Sequence, residues 1–314
     1  MEFTNLSATT RSRRRKKQHW TAMLVLIVVC TFIAGIWWTL TRPTVIPSPL
    51  IQESLGAVTW PTFGQSAVGI VGSSTVETHG AQTRMPTAST AKLITALVVL
   101  QAKPLSLGQS GPVLVMSRND IALLNRYIAL DGSKIGKVLI GERLSEYQML
   151  ESMMLPSADN MADSLAIWAY GSLPAYSAAA NAYLVSHGLT DTHVGTDASG
   201  LDPSTVSTAH DMVIIGELAM QNHVLAEIVE KQSVGGFPSV GTIKNTDTLL
   251  GQSGIVGIKT GNSDQQGGAF VGAANVSVNG QTETIVTALY GAPDLTDAMN
   301  GSLSLIKSVE AGLK

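Results

Sequence analysis

Two residues at the head of an apolar stretch have the chemistry of an activated nucleophile. Ser89 and Lys92 stand three residues apart, directly before a run from Leu93 to Leu100 that has almost no polar positions. Such a run predicts a buried helix, whose first turn would place both side chains on one face. A serine hydroxyl needs a neighbour that takes its proton, and a buried lysine can do so while part of its amine is neutral. The positive end of the helix would favour a developing oxyanion, although Ser-x-x-Lys alone also occurs by chance.

A second polar stretch, Pro156-Ser157-Ala158-Asp159-Asn160, breaks the chain between two predicted helices. A hydroxyl and a side-chain amide or carboxylate at such a break can point together into a cleft. The alternative is a helix cap, because Ser and Asp are preferred at helix starts and Asn160 would open the second helix.

A third stretch, Gly257-Ile258-Lys259-Thr260-Gly261, ends an apolar strand. On an edge strand it would suit an extended peptide that pairs with the main chain, while the lysine ammonium holds the peptide's carboxylate. The alternative is a surface lysine beside a turn.

The elements around these stretches predict an α/β (α+β) fold, with strands at both ends of the domain and helices between them. This order indicates an antiparallel sheet flanked by helices, plus an inserted all-helical lobe over about 106–234. Strands are predicted over 66–71, 75–79, 255–259, 269–278 and 284–290, and helices over 118–128, 145–155, 160–170, 176–186, 207–220 and 294–313.

The N-terminal part predicts a membrane anchor. Thr21–Leu40 carries no charge and follows a cluster of six Arg and Lys residues, so a single helix would span the membrane with the N-terminus in the cytoplasm. We expect a basic tail over 1–19, the anchor over 20–41, a proline-rich linker over 42–56 and the catalytic domain over 57–314. A cleaved signal is the competing interpretation, but the apolar segment is long and no Ala-x-Ala-like site closes it.

Charge and composition exclude several classes of protein. Residues 1–42 hold seven basic side chains and one acidic, and the rest holds 13 basic against 22 acidic, which argues against nucleic-acid binding. The single cysteine, Cys30, lies inside the predicted anchor, so no disulfide is expected. The six histidines show no metal-ligand spacing, and no Gly-x-Ser-x-Gly elbow is present; neither a metal nor a cofactor is predicted.

Taken together, the three stretches resemble the signatures of the penicillin-binding and serine β-lactamase superfamily, Ser-x-x-Lys, Ser-x-Asn and Lys-Thr-Gly in that order. The chain is most similar to the low-molecular-mass D-alanyl-D-alanine carboxypeptidases over roughly residues 57–314. This resemblance implies a β-lactamase/transpeptidase-like fold in a bacterial cell membrane, with the catalytic domain outside the cytoplasm.

The resemblance also implies a role for each site residue. Ser89 would be the acylated nucleophile, Lys92 its general base and Ser157 the relay of a proton to the leaving amine. The backbone N–H groups of Ser89 and Asn262 would form an oxyanion hole. The substrate would be a peptidoglycan stem peptide ending in D-Ala-D-Ala, β-lactam antibiotics would be inhibitors, and the implied substrate-binding residues are Asp159, Asn160, Lys259, Thr260, Gly261 and Asn262.

One position departs from the family pattern. Where the family has asparagine two residues after the second serine, this chain has Asp159, and Asn160 follows it. Because one residue on a helix is about 100° of rotation, either Asp159 replaces the amide or a local irregularity turns Asn160 inward. A carboxylate beside Lys92 would favour the protonated lysine and weaken it as a base.

Three other functions share these residues. A class A β-lactamase would need a deacylating glutamate after the second motif, and the sequence has none between Glu151 and Glu217. An endopeptidase that cleaves cross-links would use the same site. A non-catalytic module that binds wall peptides or penicillin is supported only by the departure at Asp159.

Overall fold

The computed structural model describes residues 55–263 and 267–313. The predicted tail and anchor and nearly all of the linker lie outside this part of the chain. Within it, no single helix has both the length and the apolar character to cross a membrane, although one pair of helices bent by 101°, Ala209–Gln221 with His223–Val229, meets these criteria jointly.

The described residues form strands β1 (Gln65–Ile70), β2 (Val76–His79), β3 (Met85–Pro86), β4 (Val113–Val115), β5 (Arg143–Ser145), β6 (Val206–Ser207), β7 (Ser233–Phe237), β8 (Gly241–Lys244), β9 (Ile255–Ser263), β10 (Gly267–Val278) and β11 (Gln281–Ala292). Five of them form one antiparallel sheet in the order β2-β1-β11-β10-β9. The remaining strands pair as β3 with β6, β4 with β5 and β7 with β8.

Most of the helices lie between β3 and β7, as the sequence predicts. They are α1 (Lys92–Ala102), α2 (Arg118–Ile128), α3 (Glu146–Met154), α4 (Asp159–Tyr170), α5 (Leu173–Ser186), α6 (Ala209–Gln221), α7 (His223–Val229) and, at the C-terminal end, α8 (Leu295–Leu313). The predicted α/β fold with an antiparallel sheet and flanking helices is confirmed.

Side-chain alternation along the strands buries both faces of the sheet. In β1, Ala67 belongs to one apolar cluster and its neighbour Val68 to another, because successive side chains point to opposite faces. Helix α8 covers the Val68 face. The other face packs on α6, and α1, which is buried from Lys92 through Leu100, packs against α6 on the same side of the sheet.

The cluster on the α1 face also includes the helices between β3 and β7. Leu150 of α3 and Leu165 of α4 share it with Ile258 of β9. The two parts of the domain that carry the second and third motifs therefore rest on one continuous core.

Candidate functional site

Ser89 and Lys92 are in direct contact. Ser89 lies in a 3₁₀ turn, Ala88–Ala91, and α1 begins at Lys92, so the serine precedes the α-helix instead of lying within its first α-turn. Lys92 Nζ is 2.9 Å from Ser89 Oγ, and the lysine is fully buried. This geometry allows proton transfer between the two groups.

Lys92 Nζ contacts two further acceptors. It lies 2.6 Å from Asp159 Oδ1 and 3.0 Å from the main-chain oxygen of Ser199. An ammonium has three donors, and with Ser89 Oγ all three are used. The contacts hold the amine in one orientation against the serine.

The structure shows which of the two candidates in the second motif, Asp159 or Asn160, faces Lys92. Helix α4 begins at Asp159, whose Oδ2 accepts from the N–H of Lys134 at 2.7 Å while Oδ1 faces Lys92. Asn160 points elsewhere: its amide exchanges hydrogen bonds of 2.8 and 2.9 Å with the main chain of Gly136. One step along a regular helix turns Asn160 away from Lys92, so of the two candidates Asp159 is the one that contacts the lysine; the role of Asn160 in substrate binding stays a prediction.

Ser157 has an unusual backbone and an unpaired hydroxyl. Its φ is 66°, its side chain is buried, and its Oγ has no hydrogen-bond partner among the described residues. It does not cap α4, since Ala158 occupies the N-cap position. Ala88, directly before Ser89, also has a positive φ of 44°. Non-glycine residues in this region store strain of about 1–3 kcal/mol and cluster at functional sites.

Lys259 and Thr260 lie on β9, which is an edge of the five-stranded sheet. Lys259 is buried, so the alternative of a surface lysine does not hold. Its ammonium lies 3.1 Å from the oxygen of Thr260, and Thr260 Oγ1 is 2.7 Å from Thr246 Oγ1. Burial and the nearby charge of Lys92 hold the pKa of Lys259 well below its usual range, against the opposing charges of Asp159 and Asp247.

The next residues of β9 pack against the Ser89 turn. A Cβ on Gly261 would lie 3.0 Å from Thr90 Cγ2 and 3.2 Å from the oxygen of Thr87, so a glycine allows the strand its close approach. Asn262 is exposed and pairs with Gly268 of β10. β10 is the only strand that pairs with β9 in the described part of the chain, and the opposite edge of β9 has no strand beside it.

A buried network behind the site was not predicted. Asp163 accepts hydrogen bonds from the Tyr127 hydroxyl at 2.8 Å and from the Ala198 N–H at 2.9 Å. Burial raises the pKa of Asp163 to about 6. These bonds fix the segment whose Ser199 oxygen contacts Lys92. No motif spacing marks them, because the group that touches Lys92 belongs to the main chain.

Metal ligands are not grouped in this part of the protein. Across 55–263 and 267–313 there is no set of three His, Cys, Asp or Glu residues placed to hold an ion. Lys92 contacts Ser89 of the first motif and Asp159 of the second, and its charge acts on Lys259 of the third. This arrangement of a serine beside a buried amine suits acyl transfer to serine.

Comparison with known proteins identifies similar chains. The family described as D-alanyl-D-alanine carboxypeptidase matches residues 73–289. The D-alanyl-D-alanine carboxypeptidase DacB2 of Mycobacterium tuberculosis is 34% identical over 213 residues, covering 66% of this chain and 67% of that protein. A D-alanyl-D-alanine carboxypeptidase of Streptomyces sp. strain K15 is 28% identical over 237 residues, covering 69% and 79%.

Solved structures have the same fold. The Streptomyces K15 DD-transpeptidase superposes with a TM-score of 0.70 at 24% identity, covering 81% of this chain and all of that one. The D-alanyl-D-alanine carboxypeptidase structure from M. tuberculosis H37Rv superposes with a TM-score of 0.68 at 29% identity, covering 84% and 95%.

Proposed function

Because the chain belongs to the D-alanyl-D-alanine carboxypeptidase family, we propose that it hydrolyses the terminal D-alanine from peptidoglycan stem peptides through an acyl-enzyme on Ser89. The resemblance predicted from the three motifs is confirmed at the level of the family. The observation that carries the proposal is the 2.9 Å contact between Ser89 Oγ and the buried Lys92 Nζ.

In the proposed acylation step, the neutral Lys92 amine takes the proton of Ser89 as its oxygen attacks the penultimate carbonyl. A Ser89–acyl ester forms and the peptide C–N bond breaks. The unpaired Ser157 hydroxyl gives its proton to the leaving amine and regains one from Lys92, so that the proton taken from Ser89 ends on the amine. The N–H groups of Ser89 and Asn262 stabilise the oxyanion, and water then hydrolyses the ester.

Lys259 and Thr260 hold the substrate's terminal carboxylate in this proposal. Lys259 is buried near the charge of Lys92, and both effects disfavour its ammonium form. The negative charge of an incoming carboxylate would favour the ammonium form of Lys259. The free edge of β9 pairs with the extended peptide, and a β-lactam would acylate Ser89 in place of the peptide.

We place this domain on the outer face of a bacterial cell membrane. The uncharged stretch Thr21–Leu40 and the basic cluster before it support a single-pass anchor with a cytoplasmic N-terminus. The full-length protein should sediment with membranes, and a variant without residues 1–41 should not.

The proposed activity is tested with diacetyl-L-lysyl-D-alanyl-D-alanine. We expect release of free D-alanine, and intact-mass analysis after penicillin treatment should locate one adduct on Ser89. Replacement of Ser89 by alanine should abolish both signals. A folded, penicillin-acylated protein that releases no D-alanine would be a non-catalytic binder and would contradict the proposal.

A further inference from the structure

A groove of about 620 Å³ begins next to Ser157, and none of the residues assigned to the release of D-alanine lines it. One wall is the segment 134–138 and the other is the β7–β8 hairpin. Val138, Leu144 and Phe237 contribute buried apolar surface. Ligand sites span about 300–1,000 Å³, so the groove is large enough for a group much bigger than one alanine.

The groove lies on the side of the cleft that would hold the leaving group. Its lining includes Pro156, which directly precedes Ser157, and Thr246, whose hydroxyl contacts Thr260. In the proposed function, Ser157 serves the leaving amine and Thr260 the carboxylate next to it. Neither Gly261 nor Asn262, on the oxyanion side, lines the groove.

The rim of the groove is basic. Lys134, Lys137 and Lys244 line it, all three are exposed, and none is ion-paired with a carboxylate of the described residues. The acidic residue of the lining is Glu142, whose carboxylate already accepts hydrogen bonds from the N–H groups of Leu139 and Ser239. In a domain with an acidic balance, this local excess of positive charge favours an anionic ligand.

We propose that this groove binds an acidic extension of the leaving group: a D-amino acid whose side chain continues into a carboxylate-bearing peptide, as in a cross-linked stem peptide. The proposal rests on the proposed function. The chemistry is unchanged, since the acyl–nitrogen bond breaks, Ser89 gains the acyl group, the longer amine leaves with a proton and water hydrolyses the ester. The extended side chain lies over the apolar floor while its carboxylate meets the lysines.

Three substrates with one acyl donor, diacetyl-L-lysyl-D-alanyl, test the groove in the full-length protein. Their leaving groups are D-alanine, D-2-aminoheptanoate and D-2-aminopimelate; the last two have side chains of similar length, and only the aminopimelate side chain ends in a carboxylate. The readout is the ratio of kcat/KM for aminopimelate to that for aminoheptanoate, which cancels any general loss of activity.

We expect wild-type protein to favour aminopimelate by about three- to tenfold, since exposed ion pairs contribute modestly. The preference should fall at high ionic strength. The double variant Lys137→Ala/Lys244→Ala should bring the ratio to within about twofold of unity, while Lys307→Ala, which removes an exposed lysine from α8, should keep it.

The outcomes separate the two proposals. If D-alanine is released but the ratio is near unity in wild-type protein, or is kept in the double variant, the groove proposal is overturned and the proposed function stands. If no leaving group is released from any substrate, both are overturned.

Discussion

Asp159 is the residue at which this site departs most from the family pattern. One carboxylate oxygen contacts Lys92 and the other accepts from the Lys134 N–H, so both are engaged before a substrate arrives. We therefore expect Asp159 to be a positioning residue, which orients Lys92 and ties the 134–136 segment to the start of α4; its role in substrate binding stays a prediction. Asn160, one residue later, fixes the same segment through Gly136.

Paired substitutions separate these two roles. Asp159→Ala should slow penicillin acylation by about 100-fold, because a base displaced by about 1 Å costs that much. Asn160→Ala leaves the Gly136 N–H and C=O without their partner and should lower the free energy of unfolding by about 2 kcal/mol. Stopped-flow acylation and denaturant unfolding measure the two quantities.

We expect Asp159→Ala to change mainly the acylation rate and Asn160→Ala mainly the stability. If Asn160→Ala slowed acylation as much as Asp159→Ala without loss of stability, the amide would contact the ligand after all.

At the scale of elements, the contact of α6 with β1 contains a buried carboxyl group. Glu217 of α6 packs against Gly69, where an added Cβ would collide with Glu217 Oε1. That oxygen has no hydrogen-bond partner among the described residues. Burial raises the pKa of Glu217 to about 8 from its ordinary 4.5.

This carboxyl group should make folding depend on pH. A raised folded-state pKa contributes stability below pH 4.5 that is lost as the pH rises through 8, at most about 5 kcal/mol by linkage. The unfolding free energy of the wild type should therefore decrease from pH 5 to pH 8, and Glu217→Gln should decrease less. Urea unfolding across this range measures the difference.

The exposed Glu230→Gln is the matched control and should keep the wild-type slope. An unchanged slope in Glu217→Gln would mean that burial does not hold the proton on Glu217.

Sequence patterns predicted the elements better than the contacts between them. The helix predicted over 118–128 has these bounds, because apolar periodicity is a local signal. Strand β9 continues to Ser263 instead of ending at 259. Its last residues have weak strand propensity and are extended because they pair with β10.

In the site, the side chains could be predicted from the sequence and the main-chain groups could not. Spacing predicted Ser89, Lys92, Ser157 and Lys259, whose side chains carry the proposed chemistry. It could not identify the Ser199 oxygen or the Lys134 N–H, because main-chain groups leave no mark on residue identity. The hairpin β7–β8 was also not predicted, since Gly235 and Gly236 interrupt its alternation.

For the whole molecule, the shared core beneath both motif-bearing regions has a mechanical consequence. Leu150 and Leu165 on one side and Ile258 on the other belong to one packed cluster of the described residues, so we expect the two halves of the cleft to unfold together. Heating should not produce a partly melted species in which one half survives. Antibiotic labelling and near-ultraviolet circular dichroism should vanish at one temperature, and two calorimetric peaks would contradict this.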